Sequence, residues 1–146
     1  MSETLGSLCD KLTIVKLKQF HSVDKARLES LSEQESQLES EIDCFLEDAV
    51  SGKIPHEKLS FSSNKVYKQE GNEIRNIKGS IGSVFAELAK VNCELWHEQE
   101  KVYEFEKIPM DEKDIVVKKL AILNLERNKC IDSIDSTMKK ITRNKE

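Results

Sequence analysis

Eight residues in three groups have the types and spacing to do chemistry. Asp10, Lys11 and Lys18 lie near the N-terminus, Asn92, Trp96 and Glu100 in the middle, and Asn124 and Arg127 towards the end. Lys11 and Lys18 are seven apart, so on a helix they share a face two turns apart. Arg127 stands where the apolar pattern of its segment expects a hydrophobic residue, between Leu123 and Cys130. A guanidinium inside an apolar seam needs an acid or a bound anion, because leaving it unpaired and dry is very costly. Asp10, Glu98 and Glu100 are the acids available to it. Two readings follow. One is a buried ion-pair network that sets helix register. The other is a small polar pocket for an anionic or sugar-like ligand. In that pocket Arg127 and Lys11 hold the anion, Asn92 and Asn124 supply hydrogen bonds, and Trp96 forms an apolar wall.

These groups need long helices to position them. Ile74, Ile77, Ile81, Val84, Leu88, Val91, Leu95, Val102 and Phe105 recur in steps of three and four. That is a heptad-like seam with a polar interruption at Glu98 and Gln99. This central helix is expected to start between Ser63 and Asn72, although Gly71, Gly79 and Gly82 weaken its first half. Before it, Glu3 to His21 carries an apolar face of Leu5, Leu8, Leu12, Val15 and Leu17, with Thr4 or Ser2 as cap. A second segment, about Asp24 to Val50, continues the pattern through Leu28, Leu31, Leu38, Ile42, Phe45 and Ala49. Ser22 suits its start and Gly52 its stop. Its many acids read as a solvated face. The two segments form either one bent helix or two. Gly52 to Ser63, with Pro55, reads as a loop in which His56 is exposed. Ile108-Pro109-Met110-Asp111 is a break, with Asp111 as N-cap of a last helix from Glu112 to about Ile141. The polar tail after it, 142–146, should fray.

The short break makes the last two helices antiparallel neighbours. Pairing them about the turn brings Arg127 level with Asn92, and Asn124 level with Leu95 beside Trp96. The fold expected is all-α: an elongated antiparallel bundle of about four helices, in one domain spanning 1–146.

Composition narrows the function classes. Of 146 residues, 34% are charged and the net charge is only -4, with acids and bases interleaved. No basic block marks a nucleic-acid or polybasic membrane contact, and no apolar run is long enough to span a membrane. The N-terminus has no signal-peptide pattern, so the expected location is cytoplasmic. Cys9, Cys44, Cys93 and Cys130 form no C-x-x-C pair and read as small core residues. Glu94-Leu95-Trp96-His97 is an E-x-x-H, but di-iron chemistry needs a second copy and two more glutamates. The carboxylates match the magnesium pattern of helical pyrophosphohydrolases poorly. There is no Gly-rich phosphate loop and no nucleophile elbow. No metal or cofactor is therefore assigned. A seam this long leaves apolar surface for a partner, which favours a homodimer.

Three blocks resemble small bacterial helical domains of unknown function. Gly6-Ser7-Leu8-Cys9-Asp10-Lys11-Leu12-Thr13-Ile14, followed by Lys18, resembles their G-x-L-x-D-K-[LI]-[ST]-I opening. Val91-Asn92-Cys93-Glu94-Leu95-Trp96-His97 resembles V-N-x-x-L-W-x-x-E-D, with Gln99-Glu100 standing for the E-D pair. Asn124 to Arg127 resembles N-x-x-R, and Asn128 with Ile131 to Asp135 resembles a related family. The resemblance implies that Asp10, Lys11, Lys18, Asn92, Trp96, Asn124 and Arg127 act as a set. It also implies a setting near surface-polysaccharide glycosyltransferases. The functional expectations are a binding protein for a small polar ligand or protein partner in that metabolism, a transferase or hydrolase acting on a nucleotide or sugar phosphate, or an oligomeric scaffold.

Overall fold

A computed structural model describes residues 3–61, 77 and 79–143. They form four α-helices: α1 (Leu5–Phe20), α2 (Lys25–Ser51), α3 (Ile81–Tyr103) and α4 (Met110–Arg143), with short 3-10 turns at His56–Lys58 and Phe105–Lys107. No strand occurs among the described residues, and the bundle is all-α as the periodicity predicts. None of the described helices is long and apolar enough to cross a membrane. The first two segments are two helices. Asp24, rather than Ser22, caps α2 by accepting from the Arg27 N–H (3.0 Å), because a carboxylate at the N-cap also meets the positive end of the helix dipole. Gly52 ends α2 in the left-handed region, at φ 84°, as its position suggests.

The central helix begins later than its seam. Ser80 caps α3 by accepting from Ser83 N–H, and Gly79, at φ 134°, cannot continue a helix. The start expected between Ser63 and Asn72, and Ile74 of the seam, lie outside the described residues. Helix α4 starts at Met110, so Asp111 lies in its first turn rather than at the N-cap, and it runs to Arg143, so 142 and 143 are helical rather than frayed, and 144–146 lie outside the described residues. His56 is not a bare loop residue. It is half-buried, and its ring nitrogen lies 2.8 Å from the Lys139 carbonyl, tying the loop after α2 to α4.

The apolar core gathers where the N-terminal ends of α1 and α3 meet the C-terminal ends of α2 and α4. Leu5, Leu8, Phe45, Ala49, Leu59, Val84, Leu88, Cys130, Ile134 and Met138 form it. Of the cysteines, Cys9 and Cys130 are core residues, but Cys44 is exposed and Cys93 half-buried, and none of the four is joined in a disulfide. Burial pushes the Cys9 thiol up to about 11, with Asp135 and Asp10 adding to the rise.

Helix α1 is docked on α4 by its first turn. Thr4 and Ser7 close a capping box. The Gly6 N–H, one of the donors a helix start leaves unpaired, is taken by Asp135 Oδ1 of α4 at 2.7 Å. The approach requires glycine: a Cβ at Gly6 would stand 2.5 Å from the Ile131 carbonyl oxygen and 2.9 Å from Asp135 Oδ1. At Gly82 a Cβ would meet nothing within 4 Å. The same substitution should therefore act with opposite signs. Gly6→Ala should cost about 1–3 kcal/mol by overpacking, and Gly82→Ala should add about 0.5 kcal/mol, both read from urea unfolding midpoints.

Asp135 also makes stability pH-dependent. Burial pushes its carboxyl up to about 6, despite hydrogen bonds from Thr4 and Gly6, and Asp132 adds to the rise. A folded value above the unfolded one means that the native state holds the proton more tightly. The stabilisation is complete below the ordinary carboxyl range and is lost as pH rises through about 6. Wild-type stability relative to Asp135→Asn should thus fall by about 2–3 kcal/mol between pH 4 and pH 7.5, measured by denaturant unfolding at both pH values.

Candidate functional site

The polar layer lies one to two turns beyond the apolar core. Asp10 of α1 is its centre and is only 5% exposed. Its position follows from the helix period: Leu8, Cys9 and Val15 face the core, and Asp10 falls on the part of that face turned towards α3 and α4. Arg127 of α4 grips it as a fork, Nε donating to Oδ1 (2.8 Å) and Nη2 to Oδ2 (2.5 Å). Asn92 of α3 donates through Nδ2 to Asp10 Oδ1 (2.9 Å) and to Thr13 Oγ1 (2.7 Å). Thr13 in turn donates to the Asp10 carbonyl (2.7 Å). The Arg127 guanidinium is held above its ordinary range chiefly by the hydrogen bonds to Asp10, against the opposing effect of burial. A bidentate, charge-assisted pair of this kind is among the stronger polar contacts available to a protein.

The arginine expected to meet Asn92 does so through Asp10, and the acid it takes is Asp10 rather than Glu98 or Glu100. Glu98 is buried but belongs to a different contact, with Lys119 (2.9 Å) and Lys101 (3.1 Å). Burial alone would raise its carboxyl, but the two lysine hydrogen bonds outweigh that and hold it below the usual range. Glu100 is exposed on α3, away from the layer. Asn124 is exposed as well, its amide donating to the Leu120 carbonyl of its own helix (3.1 Å). The pairing argument set Asn124 level with Leu95, but its side chain is exposed and bonded within α4. Lys11 is exposed and paired with Glu3. Lys18 is exposed and makes no ion pair among the described residues.

Trp96 is four residues after Asn92 and therefore on the same face. Its indole stacks on His21, with ring centroids 4.9 Å apart and planes 11° from parallel. Trp96 Nε1 and Asn92 Oδ1 are both buried without a hydrogen-bond partner among the described residues. A buried donor and a buried acceptor left unpaired cost about 1–3 kcal/mol each.

Two clefts of ≈ 340 and ≈ 350 Å³ open along the α1–α2 pair. The first has an apolar floor of Ile14, Val15 and Leu38, and is rimmed by Lys11, Lys18, Glu41 and Arg127. The second is lined by Lys18, His21, Arg27, Ser30, Gln34 and Trp96. Lys18 and Gln34 belong to both. A larger apolar groove, ≈ 650 Å³, lies on the opposite side between α3 and α4, around Ile115, Ile122 and Leu123, and holds none of the polar layer. The α2 contribution was missed in the sequence because its polar residues read as a solvated acidic face. The signal was present: Arg27, Gln34 and Glu41 are spaced by sevens, as Lys11 and Lys18 are, so two polar stripes face each other. His21, three residues after Lys18, extends the α1 stripe.

Among the described residues no group of three or more His, Cys, Asp or Glu is placed to hold a metal ion, and Glu94 and His97 form no such set. Comparisons with protein families, with curated proteins and with solved structures return no match to this chain.

The network should show strong coupling. Asp10→Ala takes the carboxylate from the half-buried Arg127 guanidinium and should cost about 1–3 kcal/mol. Asp10→Leu combined with Arg127→Met removes both charges and should recover most of that loss. Urea unfolding of the two variants checks the difference.

Proposed function

We propose that the chain binds a small anionic ligand in the cleft between α1 and α2. The observation that carries this reading is the charge of the first cleft: Lys11, Lys18 and Arg127 converge on it and Glu41 is the one acid among its lining residues. Arg127 is pre-organised. Asp10 occupies its Nε–H and one Nη2–H, which fixes the plane of the guanidinium, and its remaining N–H donors have no partner among the described residues. Such a fixed fork loses little entropy when it takes up a phosphate or carboxylate. Lys18 adds a positive charge without an internal partner. Cleft volumes of this size sit at the lower end of the range for small-molecule sites.

The resemblance to domains encoded near glycosyltransferases makes sugar phosphates and nucleotide sugars the natural panel, with the chain acting as a binding protein or as a transferase or hydrolase on such a phosphate. Four cysteines without a disulfide fit a reducing cytoplasm. A second reading, a homodimer through the α3–α4 hairpin, is supported by the exposure of Tyr103, Met110, Ile115 and Val117 at that end.

Isothermal titration with inorganic pyrophosphate tests the anion site. Binding is expected to weaken about tenfold in Lys18→Ala, the loss of about 1.4 kcal/mol, and to weaken further as salt screens the exposed lysines. Unchanged affinity in both Lys18→Ala and Lys11→Ala would remove the cleft from consideration. A native mass spectrum of the same sample reads the dimer directly.

A further inference from the structure

The two clefts share a wall at Lys18 and Gln34, so one ligand can occupy both. They differ in chemistry. The first presents cations over an apolar floor. The second has no carboxylate among its lining residues and is built from an aromatic pair, hydroxyls, an amide and Arg27. We propose that the joined clefts bind a nucleoside 5′-phosphate, the phosphate between Lys11, Lys18 and Arg127 and the base against the His21–Trp96 stack. The proposal rests on the anion site argued above and adds the identity of the second half of the ligand.

Three observations carry it. The His21 and Trp96 rings are already parallel, so a planar heterocycle extends an existing stack rather than ordering a new one, and base–aromatic stacking tolerates any base. Ser22, Ser30 and Gln34 each offer donor and acceptor atoms, as ribose hydroxyls and base edges both require. The connection agrees as well: Lys18 lines both clefts and His21 the second, so cation and ring face one continuous space. A free phosphate would need only the first cleft. A cationic guest would find no acid among the second cleft's lining residues.

The chain contains a single tryptophan, so the wall reports on itself. The test titrates the full-length protein with AMP, UMP, ribose 5-phosphate and pyrophosphate, following Trp96 emission and heat. At least one nucleoside monophosphate should bind tenfold or more tightly than ribose 5-phosphate and shift the emission. His21→Ala should abolish that preference while leaving pyrophosphate affinity unchanged, and Lys18→Ala should weaken all four. Equal binding of ribose 5-phosphate and both nucleotides, with pyrophosphate still bound, overturns the base assignment and leaves the anion site standing. Failure of all four to bind overturns both readings. Because His21 is an exposed C-cap residue, its variant should fold. Should circular dichroism show otherwise, His21→Gln replaces it as the ring-deleted variant.

Discussion

One buried carboxylate organises the polar half of the molecule. At 5% exposure Asp10 needs partners, since an unpaired buried charge costs several kcal/mol, a large share of a domain's stability. It is therefore bound to Arg127 of α4 and to Asn92 of α3, and its own helix adds the Thr13 link. Three helices must meet at one height for this to happen. A one-turn slip of α1 along α4 would separate the ion pair and leave the buried Asp10 carboxylate without it. An apolar seam tolerates such a slip more readily, because Leu, Ile and Val contacts are nearly interchangeable along a heptad.

The register so imposed agrees with that of the opposite end. There Gly6 allows α1 to approach the backbone of α4, and Asp135 accepts its N–H. The two polar anchors on α1, Gly6 and Asp10, are one turn apart, as are Ile131 and Arg127 on α4. The apolar core beyond them, with Leu88, Cys130 and Ile134 fully buried, supplies most of the burial. The anchors select which of its packings is used.

The same fixed register opens the clefts. Once Arg127 is turned onto Asp10, its remaining donors join Lys11 and Lys18 over Ile14, Val15 and Leu38. The guanidinium that pins the register thus also forms part of the cleft rim. Trp96, placed four residues after Asn92 on the same helix, is carried to the neighbouring cleft by the same geometry and meets His21 there.

With the cap of α1 narrowed to Thr4 or Ser2, helix type, a break around Pro109, the stop at Gly52, and the meeting of Arg127 with Asn92 were legible from periodicity and a helical rise. They are local properties, or follow from one short turn. The start of α3 was not, because an apolar seam runs past the point where Ser80 and Gly79 end the helical backbone. Nor was the choice among Asp10, Glu98 and Glu100 as the partner of Arg127. All three are acids at plausible heights, and only the rotation of each helix about its axis decides which one is buried beside it. That rotation also sent Asn124 to the surface and brought His21, Arg27 and Gln34 to the clefts. Helix type and the level of Arg127 against Asn92 follow from spacing along the chain. Which faces meet was decided only by the tertiary structure, because azimuth is set by the simultaneous packing of four helices around one core.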